Sequence, residues 1–268
     1  MNWISKQAFR HCFLYCEPCF VSGPTSECRA PTTAGVRTFS LNFTAVLVKK
    51  AAMAPDRFRF ERAFVKEGAL RVAGVDEVGR GPLAGPVVAA AVILPAEWID
   101  HGLPRQLRGL NDSKQLTADQ RERYFAALTV CPAVCFGMAM VDAKVIDTIN
   151  ILQATHRAMN EALDQLQPPP EHALVDGLKV PSLRFPQTAL VKGDARSYSI
   201  AAASVIAKVT RDRLMVEYHE LYPAYGFAAH KGYGTPQHLA ALINYGPCPI
   251  HRQSFAPIRP AEGELFIL

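Results

Sequence analysis

The chain has 268 residues, of which 49% are hydrophobic, enough for one large domain or two small ones with a sizeable core. No apolar run reaches the ~18 residues that a membrane-spanning helix needs, so we expect no membrane association. The net charge is +5, but residues 1–52 carry +4 of it. The remaining 216 residues are therefore near neutral, which excludes a uniformly basic surface and leaves only a local patch for binding phosphates.

The first fifty residues have no helical or strand period and contain four of the seven cysteines. Cys12, Cys16 and Cys19 have the spacing of the iron–sulfur site of radical-SAM enzymes, and Cys28 would complete a four-thiolate zinc set. The segment is basic and poor in acids, which is also a weak feature of transit peptides. We favour a start of translation at Met53, with a disordered extension as the alternative. The cysteines elsewhere form no disulfide framework, which predicts a reducing compartment.

Residues 56–65 are charged and aromatic and predict a short helix or a loop at the domain edge. The stretch from Val72 to Val88 then reads as strand, loop, strand. Its first apolar run meets two adjacent carboxylates, Asp76 and Glu77. Neighbouring side chains in a strand point to opposite faces, so the pair can serve one site only if the strand ends at Asp76 and the glycines that follow turn the backbone.

The later elements alternate between strand and helix patterns without a clear boundary, which predicts one α/β domain. A capping box at Thr117 starts a helix after the Asn111–Lys114 turn. A long helix with a small, apolar first half begins near Ser197 and reaches about Leu221. The other predicted elements are a strand at 133–141, a helix at 150–166, a strand at 172–176, a strand at 187–191 and a helix at 236–244.

Four carboxylates share one placement along the chain. Asp76 and Glu77, Asp176, and Asp194 each end an apolar strand run or follow it by a few residues. Strand ends on one side of a sheet converge, and sites of α/β proteins lie there. Converging acids repel one another unless cations neutralise them, and hard oxygen ligands predict Mg²⁺ or Mn²⁺. Read singly, Asp176 and Asp194 would be ordinary turn residues.

The stretch from Val72 to Val88 resembles the first signature of bacterial ribonuclease HII, which cuts the RNA strand of RNA–DNA hybrids. The resemblance extends from about Arg71 to Pro257, with matches in five places. It implies a ribonuclease H-like mixed sheet flanked by helices, with a small helical C-terminal part. It also implies a metal-dependent endoribonuclease that cuts hybrids, including single ribonucleotides in duplex DNA, by two-metal-ion catalysis with 5′-phosphate and 3′-hydroxyl products.

The resemblance assigns roles to individual residues. Asp76, Glu77, Asp176 and Asp194 would be the catalytic metal ligands. The backbone of Gly79, Arg80 and Gly81 would meet the ribose 2′-hydroxyl, the group that separates RNA from DNA. Tyr233 would pack on the neighbouring deoxyribose and sense the RNA-to-DNA junction. The candidate phosphate contacts are Lys114, Lys192, Arg196, Lys208, Lys231 and Arg252, each of which is otherwise an ordinary surface cation.

Three other interpretations remain. A type HIII hybrid nuclease would need a larger and better patterned N-terminal domain than residues 1–65. A non-catalytic hybrid-binding protein of the same fold would have lost a metal ligand, whereas all four acids are present. A binder of small phosphorylated molecules would carry GxGxxG or GxxxxGK[ST], and neither occurs here.

We predict an unstructured or spurious extension at 1–65, a catalytic domain at 66–258 and a tail at 259–268. A cytoplasmic monomer is expected. In the tail, Leu265 and Phe266 resemble the Leu-Phe ending of peptides that bind the bacterial sliding clamp, although Glu262 and Gly263 depart from that motif. The alternative is a tail that folds back onto the helical part.

Overall fold

The structure is a computed structural model, and it describes residues 56–258. The N-terminal cysteines from Cys12 to Cys28, Met53, and the tail with Leu265 and Phe266 lie outside the described residues, so the statements about them stay predictions. None of the helices within the described range is both long and apolar enough to cross a membrane.

Five strands form one mixed sheet in the order β3-β2-β1-β4-β5. The first three strands are antiparallel neighbours, whereas β4 runs parallel to β1 and β5 runs parallel to β4. The carboxyl ends of β1, β4 and β5 therefore share one edge of the sheet. The strands are β1 (Val72–Val78), β2 (Val87–Ile93), β3 (Cys135–Val141), β4 (His172–Asp176) and β5 (Gln187–Leu190).

Helices cover both faces of this sheet, as expected from the sequence. The two that pack most extensively are α4 and α5, on opposite faces. The helices are α1 (Arg59–Lys66), α2 (Ala96–His101), α3 (Ala118–Val130), α4 (Ala143–Asp164), α5 (Tyr198–Leu221), α6 (Phe227–His230) and α7 (Pro236–Tyr245), with short 3-10 turns at Arg105–Leu107, Ser113–Gln115, Gly193–Ala195 and Pro223–Tyr225.

The small residues in the first half of α5 let this helix lie directly on β1. A Cβ atom on Gly74 would come within 2.1 Å of the Ser199 carbonyl carbon, so only glycine permits this approach. Residues 200–207 of α5 are almost fully buried. The side chain two residues beyond Gly74, that of Asp76, lies on the same face and points toward α5, because strand side chains alternate. The tight helix–strand contact thus places an acidic side chain beside a buried helix.

Among the helices that the sequence predicts, α4 is the one that starts far from its expected position, whereas the short α2 and α6 were not predicted. The capping box of Thr117 with Gln120 is present and starts α3 at Ala118. The helix expected at 150–166 instead begins at Ala143, where Asp142 accepts the Val145 N–H. Asn150 adopts a left-handed φ of 64° inside α4 and caps its second half. The apolar period restarts at this interruption, which is why the sequence showed only the second half.

The short helix expected within residues 56–65 is present as α1, so the boundary predicted at residue 66 and the unstructured segment before it are wrong for residues 59–65. The carboxylate of Glu61 is fully buried and accepts hydrogen bonds from the Ser197 hydroxyl (2.7 Å) and the Ser199 N–H (3.2 Å). Phe58, just before the helix, is also buried and packs against Tyr198. The structured part therefore begins well before residue 66.

The C-terminal part is helical, as expected, and its backbone is hydrogen-bonded to the loop between β1 and β2. Backbone hydrogen bonds join Leu83 to Gly232 (2.8 Å), Gly85 to Ile250 (2.9 Å) and Arg252 to Leu83 (2.9 Å). A separate apolar cluster that includes Tyr225, Phe227 and Met215 stabilises this arrangement. The connection brings residues that are ~150 positions apart in sequence to the same edge of the sheet.

Candidate functional site

Three aspartates meet at the shared edge of β1, β4 and β5. Asp76 lies on β1, Asp176 ends β4, and Asp194 lies in the 3-10 turn after β5. One carboxylate oxygen from each lies within 4.8 Å of the other two. The convergence expected from the strand ends is therefore present for these three residues.

Backbone amides hold the three carboxylates in place. Asp176 accepts the Gly193 N–H at 2.6 Å, Asp194 accepts the Ala195 N–H at 2.8 Å, and Asp76 accepts the Glu77 N–H at 2.7 Å. A side chain at Gly193 would be crowded, because its Cβ atom would lie 2.6 Å from Ile200 Cδ1 and 3.2 Å from the Asp176 carboxylate oxygen. The turn after β5 is thus built to bring its amide against the end of β4.

The electrostatics of this group call for a cation. Burial raises the pKa of Asp76 well above its usual range, and the neighbouring charges of Glu77 and Asp176 add to the effect. Burial, Asp176 and Asp112 raise the pKa of Asp194 to about 6. Charged carboxylates are thus disfavoured here, and a divalent ion would remove that penalty. An all-oxygen donor set is the kind that Mg²⁺ and Mn²⁺ prefer, whereas zinc sites are more often built from Cys and His.

Glu77 is placed differently from the prediction. β1 does not end at Asp76 but continues in register to Val78, with Glu77 opposite Ala89. The Glu77 side chain therefore leaves the other face of the strand and lies outside the group of three carboxylates, 3.4 Å from the Arg80 guanidinium. Burial raises its pKa, which Arg80 counteracts and Asp176 increases further. Its carboxylate is thus close enough to Asp176 to repel it.

The glycine-rich loop and Tyr233 lie side by side. Gly79 has a φ of +93°, and a Cβ atom there would lie 2.2 Å from Arg211 Nε, so glycine is required. Gly81 and Arg80 are exposed, and a Cβ atom on Gly81 would lie 3.7 Å from the Tyr233 ring. Tyr233 is 44% exposed, which excludes a role as a core aromatic. The structure thus brings together the two elements expected to contact substrate.

Two histidines hold the backbone of Tyr233. His251 Nδ1 accepts the Cys248 N–H at 2.9 Å, which leaves its proton on Nε2. That nitrogen lies 2.9 Å from His238 Nε2, so His238 carries its proton on Nδ1 and donates to the Tyr233 carbonyl at 2.9 Å. Burial lowers the pKa of both imidazoles, that of His251 to about 4, which favours their neutral forms.

The predicted phosphate contacts are placed unequally. Lys114 and Lys192 are exposed. Lys192 immediately precedes the turn that carries Asp194, and Lys114 lies two residues after Asp112, whose charge acts on Asp194. Lys208 is paired with Asp212 at 2.8 Å. The prediction for Arg252 is wrong, because its side chain is fully buried and donates to the carbonyl oxygens of the glycine-rich loop. The remaining two, Arg196 and Lys231, are partly exposed and donate to backbone carbonyls.

Several supporting residues escaped sequence reasoning. Ser204 lies beside Asp76, where it counteracts the rise in the pKa of that carboxyl, and its hydroxyl lies 2.8 Å from that of Ser113. Asp112 lies close enough to Asp194 to raise its pKa. Asp112 and Ser113 immediately precede Lys114, so this motif was noticed, but only its lysine received a role. Ser204 lies among the small residues of α5, where nothing distinguishes it from a packing residue.

Comparison with known proteins agrees with this geometry. The family model described as Ribonuclease HII matches residues 73–258. Ribonuclease HII of Geobacillus kaustophilus is 56% identical over 201 residues, which cover 75% of this chain and 74% of that protein. Ribonuclease H2 from Pyrococcus horikoshii is 30% identical with a TM-score of 0.59, over 71% of this chain and 96% of that one.

A further solved structure is that of the PCNA:RNase HII complex from Archaeoglobus fulgidus. It is 27% identical with a TM-score of 0.57, over 72% of this chain and 98% of the matched chain. The family match, the level of identity and the acidic group at the sheet edge lead to one conclusion. The chain belongs to the ribonuclease HII family of metal-dependent hydrolases, which cleave the RNA strand of RNA–DNA hybrids.

Proposed function

We propose that this protein cuts RNA–DNA hybrids at the RNA strand, including single ribonucleotides embedded in duplex DNA, and leaves 5′-phosphate and 3′-hydroxyl ends. The observation that supports the proposal is that a group of metal-binding carboxylates and a surface able to distinguish RNA from DNA occur in one domain. Asp76, Asp176 and Asp194 converge at the edge of the sheet, and the exposed Gly81 lies beside Tyr233.

The acidic residues would hold two divalent ions, Mg²⁺ or Mn²⁺. Asp76, Asp176 and Asp194 would supply the shared ligands. Glu77, which lies outside that group but within electrostatic reach of Asp176, would be the fourth carboxylate. Two divalent ions bound there would bind the scissile phosphate, lower the pKa of the attacking water and neutralise the leaving 3′-oxygen. The chain itself contributes backbone amides, each of which donates to one of the carboxylates and keeps it oriented before substrate arrives.

Selectivity for RNA would come from the loop and the tyrosine. The backbone of Gly79, Arg80 and Gly81, of which Gly79 is buried and the other two are exposed, would hydrogen-bond the 2′-hydroxyl. The exposed Tyr233 ring would pack on the next deoxyribose. Lys114 and Lys192, both exposed, would contact backbone phosphates. Because each contact addresses one or two nucleotides, a single ribonucleotide would suffice for recognition.

We expect the protein to cut a DNA duplex that contains one ribonucleotide, given Mg²⁺ or Mn²⁺, and to leave the all-DNA duplex intact. Tyr233→Ala should lower kcat/KM on this substrate about tenfold or more, because base or sugar stacking contributes ~1–3 kcal/mol, and should affect a long hybrid less. Tyr245→Ala removes another exposed tyrosine and serves as the control. Failure of the protein to cut the single-ribonucleotide duplex would refute the proposed substrate range.

We also propose that the protein is a cytoplasmic monomer that binds a sliding clamp through its C-terminal tail. The support is the Leu265-Phe266 sequence and an archaeal relative whose structure is a PCNA complex. A peptide of residues 260–268 titrated against purified clamp should bind with a Kd below about 1 mM. Replacing Leu265 and Phe266 by alanine should abolish binding, and an unchanged Kd would exclude this mode of docking.

A further inference from the structure

Two arginines lie fully buried beneath the glycine-rich loop. Arg211 donates to the carbonyl oxygens of Pro86 (3.0 Å), Lys231 (3.0 Å) and Ala84 (3.1 Å). Arg252 donates to other carbonyls of the same loop. Burying a guanidinium is costly unless its donors are satisfied, so the six hydrogen bonds from the two arginines fix the shape of this loop. Arg252 holds the carbonyls of residues 79, 80 and 85, whereas Arg211 holds those of residues 84 and 86.

The contacts of Arg252 fix the direction of two peptide planes. Its Nη2 lies 2.5 Å from the Gly79 oxygen, and its Nη1 lies 2.9 Å from the Arg80 oxygen. Nε and Nη2 also bond the Gly85 oxygen at 3.0 and 2.8 Å, which closes the loop around the guanidinium. The oxygens of the Gly79–Arg80 and Arg80–Gly81 peptides therefore both point inward.

The planarity of the peptide bond then determines where the amides point. In a trans peptide the carbonyl of one residue and the N–H of the next lie in one plane and point in opposite directions. Because the Gly79 and Arg80 oxygens point toward Arg252, the N–H groups of Arg80 and Gly81 point away from it, toward the exposed side. Within residues 56–258, neither N–H donates to a backbone carbonyl.

We propose that Arg252 is the positioning residue for RNA selectivity: it turns the amides of Arg80 and Gly81 outward as a fixed pair of donors for the ribose 2′-hydroxyl. The proposal rests on the proposed function and deepens it. It replaces the expected phosphate contact with an action through the backbone. The fork of the guanidinium is essential, because two carbonyls of successive peptides must be held at once; a point charge would not do this.

The test compares binding of two duplexes of the same sequence, one with a single ribonucleotide and one all DNA. Both are measured in the Asp76→Asn background to prevent cleavage. Arg252→Met and Arg252→Lys should each reduce the ratio of the two dissociation constants about tenfold, since one hydrogen bond or two are worth ~1–1.5 kcal/mol each. Binding of the all-DNA duplex should change by less than about threefold, because phosphate contacts supply it.

Arg211→Met is the matched control. Arg211 is equally buried and bonds three carbonyls, but none belongs to the Gly79–Arg80 or Arg80–Gly81 peptide. Its variant should lose thermal stability as Arg252→Met does, yet keep the binding ratio. Arg252→Lys preserves the buried charge. If Arg252→Met does not fold, the binding ratio is measured with Arg252→Lys alone.

The possible outcomes distinguish failure of the proposed role of Arg252 from failure of the proposed selectivity for the 2′-hydroxyl. A protein with native Arg252 that binds both duplexes equally would refute the 2′-hydroxyl selectivity and the role of Arg252 together. A native ratio that survives in both Arg252 variants would overturn only the positioning role. A ratio restored by Arg252→Lys would also overturn it, because charge rather than the fork would then be the cause.

Discussion

Replacing Asp76 by asparagine is expected to abolish cleavage and to make the metal-free protein more stable. The substitution removes one ligand charge from the carboxylate group, and the loss of several kcal/mol of electrostatic stabilisation predicts a fall in kcat of roughly 1,000-fold or more. The fold should survive, because an amide oxygen can still accept the Glu77 N–H. Hybrid binding measured with the variant should change little.

The stability change follows from the sign of the pKa shifts. Asp194 has a pKa of about 6, raised by burial and by Asp176 and Asp112, so the folded state holds this proton more tightly than the unfolded state. Its stabilising contribution is complete below the unfolded pKa, near 4, and is lost as pH rises through about 6. With chelator present, the free energy of unfolding should therefore fall over this pH range.

The asparagine variants test that sign directly. Asp194→Asn should remove most of the pH dependence between about pH 4 and 7, and at pH 7 it should raise the free energy of unfolding by on the order of 1–3 kcal/mol. Asp76→Asn should act in the same direction, because burial and like charges also raise its pKa. Mn²⁺ should then stabilise the native protein more than either variant. Normal turnover in Asp76→Asn, or an amide variant less stable than the native chain at pH 7, would contradict the metal site.

The three aspartates were predictable because each follows an apolar strand run, and parallel strands must end at one edge. Glu77 was predicted to join the site because it is adjacent to Asp76, but the sequence did not show that its side chain lies on the other face of β1. Register decides on which face a strand residue lies, and the sequence does not reveal that β1 remains paired with β2 through Val78. The glycines suggested an earlier turn than the one that forms.

Arg252 shows a different limit. An arginine that binds phosphate and one that binds buried carbonyls look the same in a sequence, because both follow from the same donor geometry. Only the tertiary fold places Arg252 under residues 79–85, about 170 positions earlier in the chain. Long-range polar contacts of this kind have no period or local motif, so the positioning residues were the least predictable part of the site.

The second prediction concerns the activity of two N-terminal truncations, for which the structure predicts opposite results. A chain that starts at Met53 should keep full kcat/KM, within about twofold, because every motif and every contact assigned to the site lies after Met53, and the first fifty residues have no helical or strand period. A chain that starts at Glu67 should lose about 100-fold or more, or fail to fold. It lacks Arg57, which donates to the Asp194 and Leu110 carbonyls at 2.5 Å, and the buried Glu61 carboxylate that holds the start of α5.

A point variant separates loss of the site from loss of the fold. Arg57→Met removes the hydrogen bond to the backbone of Asp194, so metal affinity should fall and high Mn²⁺ should restore turnover. Arg59→Met is the matched control, because Arg59 is exposed and lies over the Phe60 ring. Full activity of the chain that starts at Glu67 would refute the role of α1. A loss above about tenfold on starting at Met53 would instead assign a function to the cysteine-rich segment, because ~1.4 kcal/mol of transition-state stabilisation would then reside there.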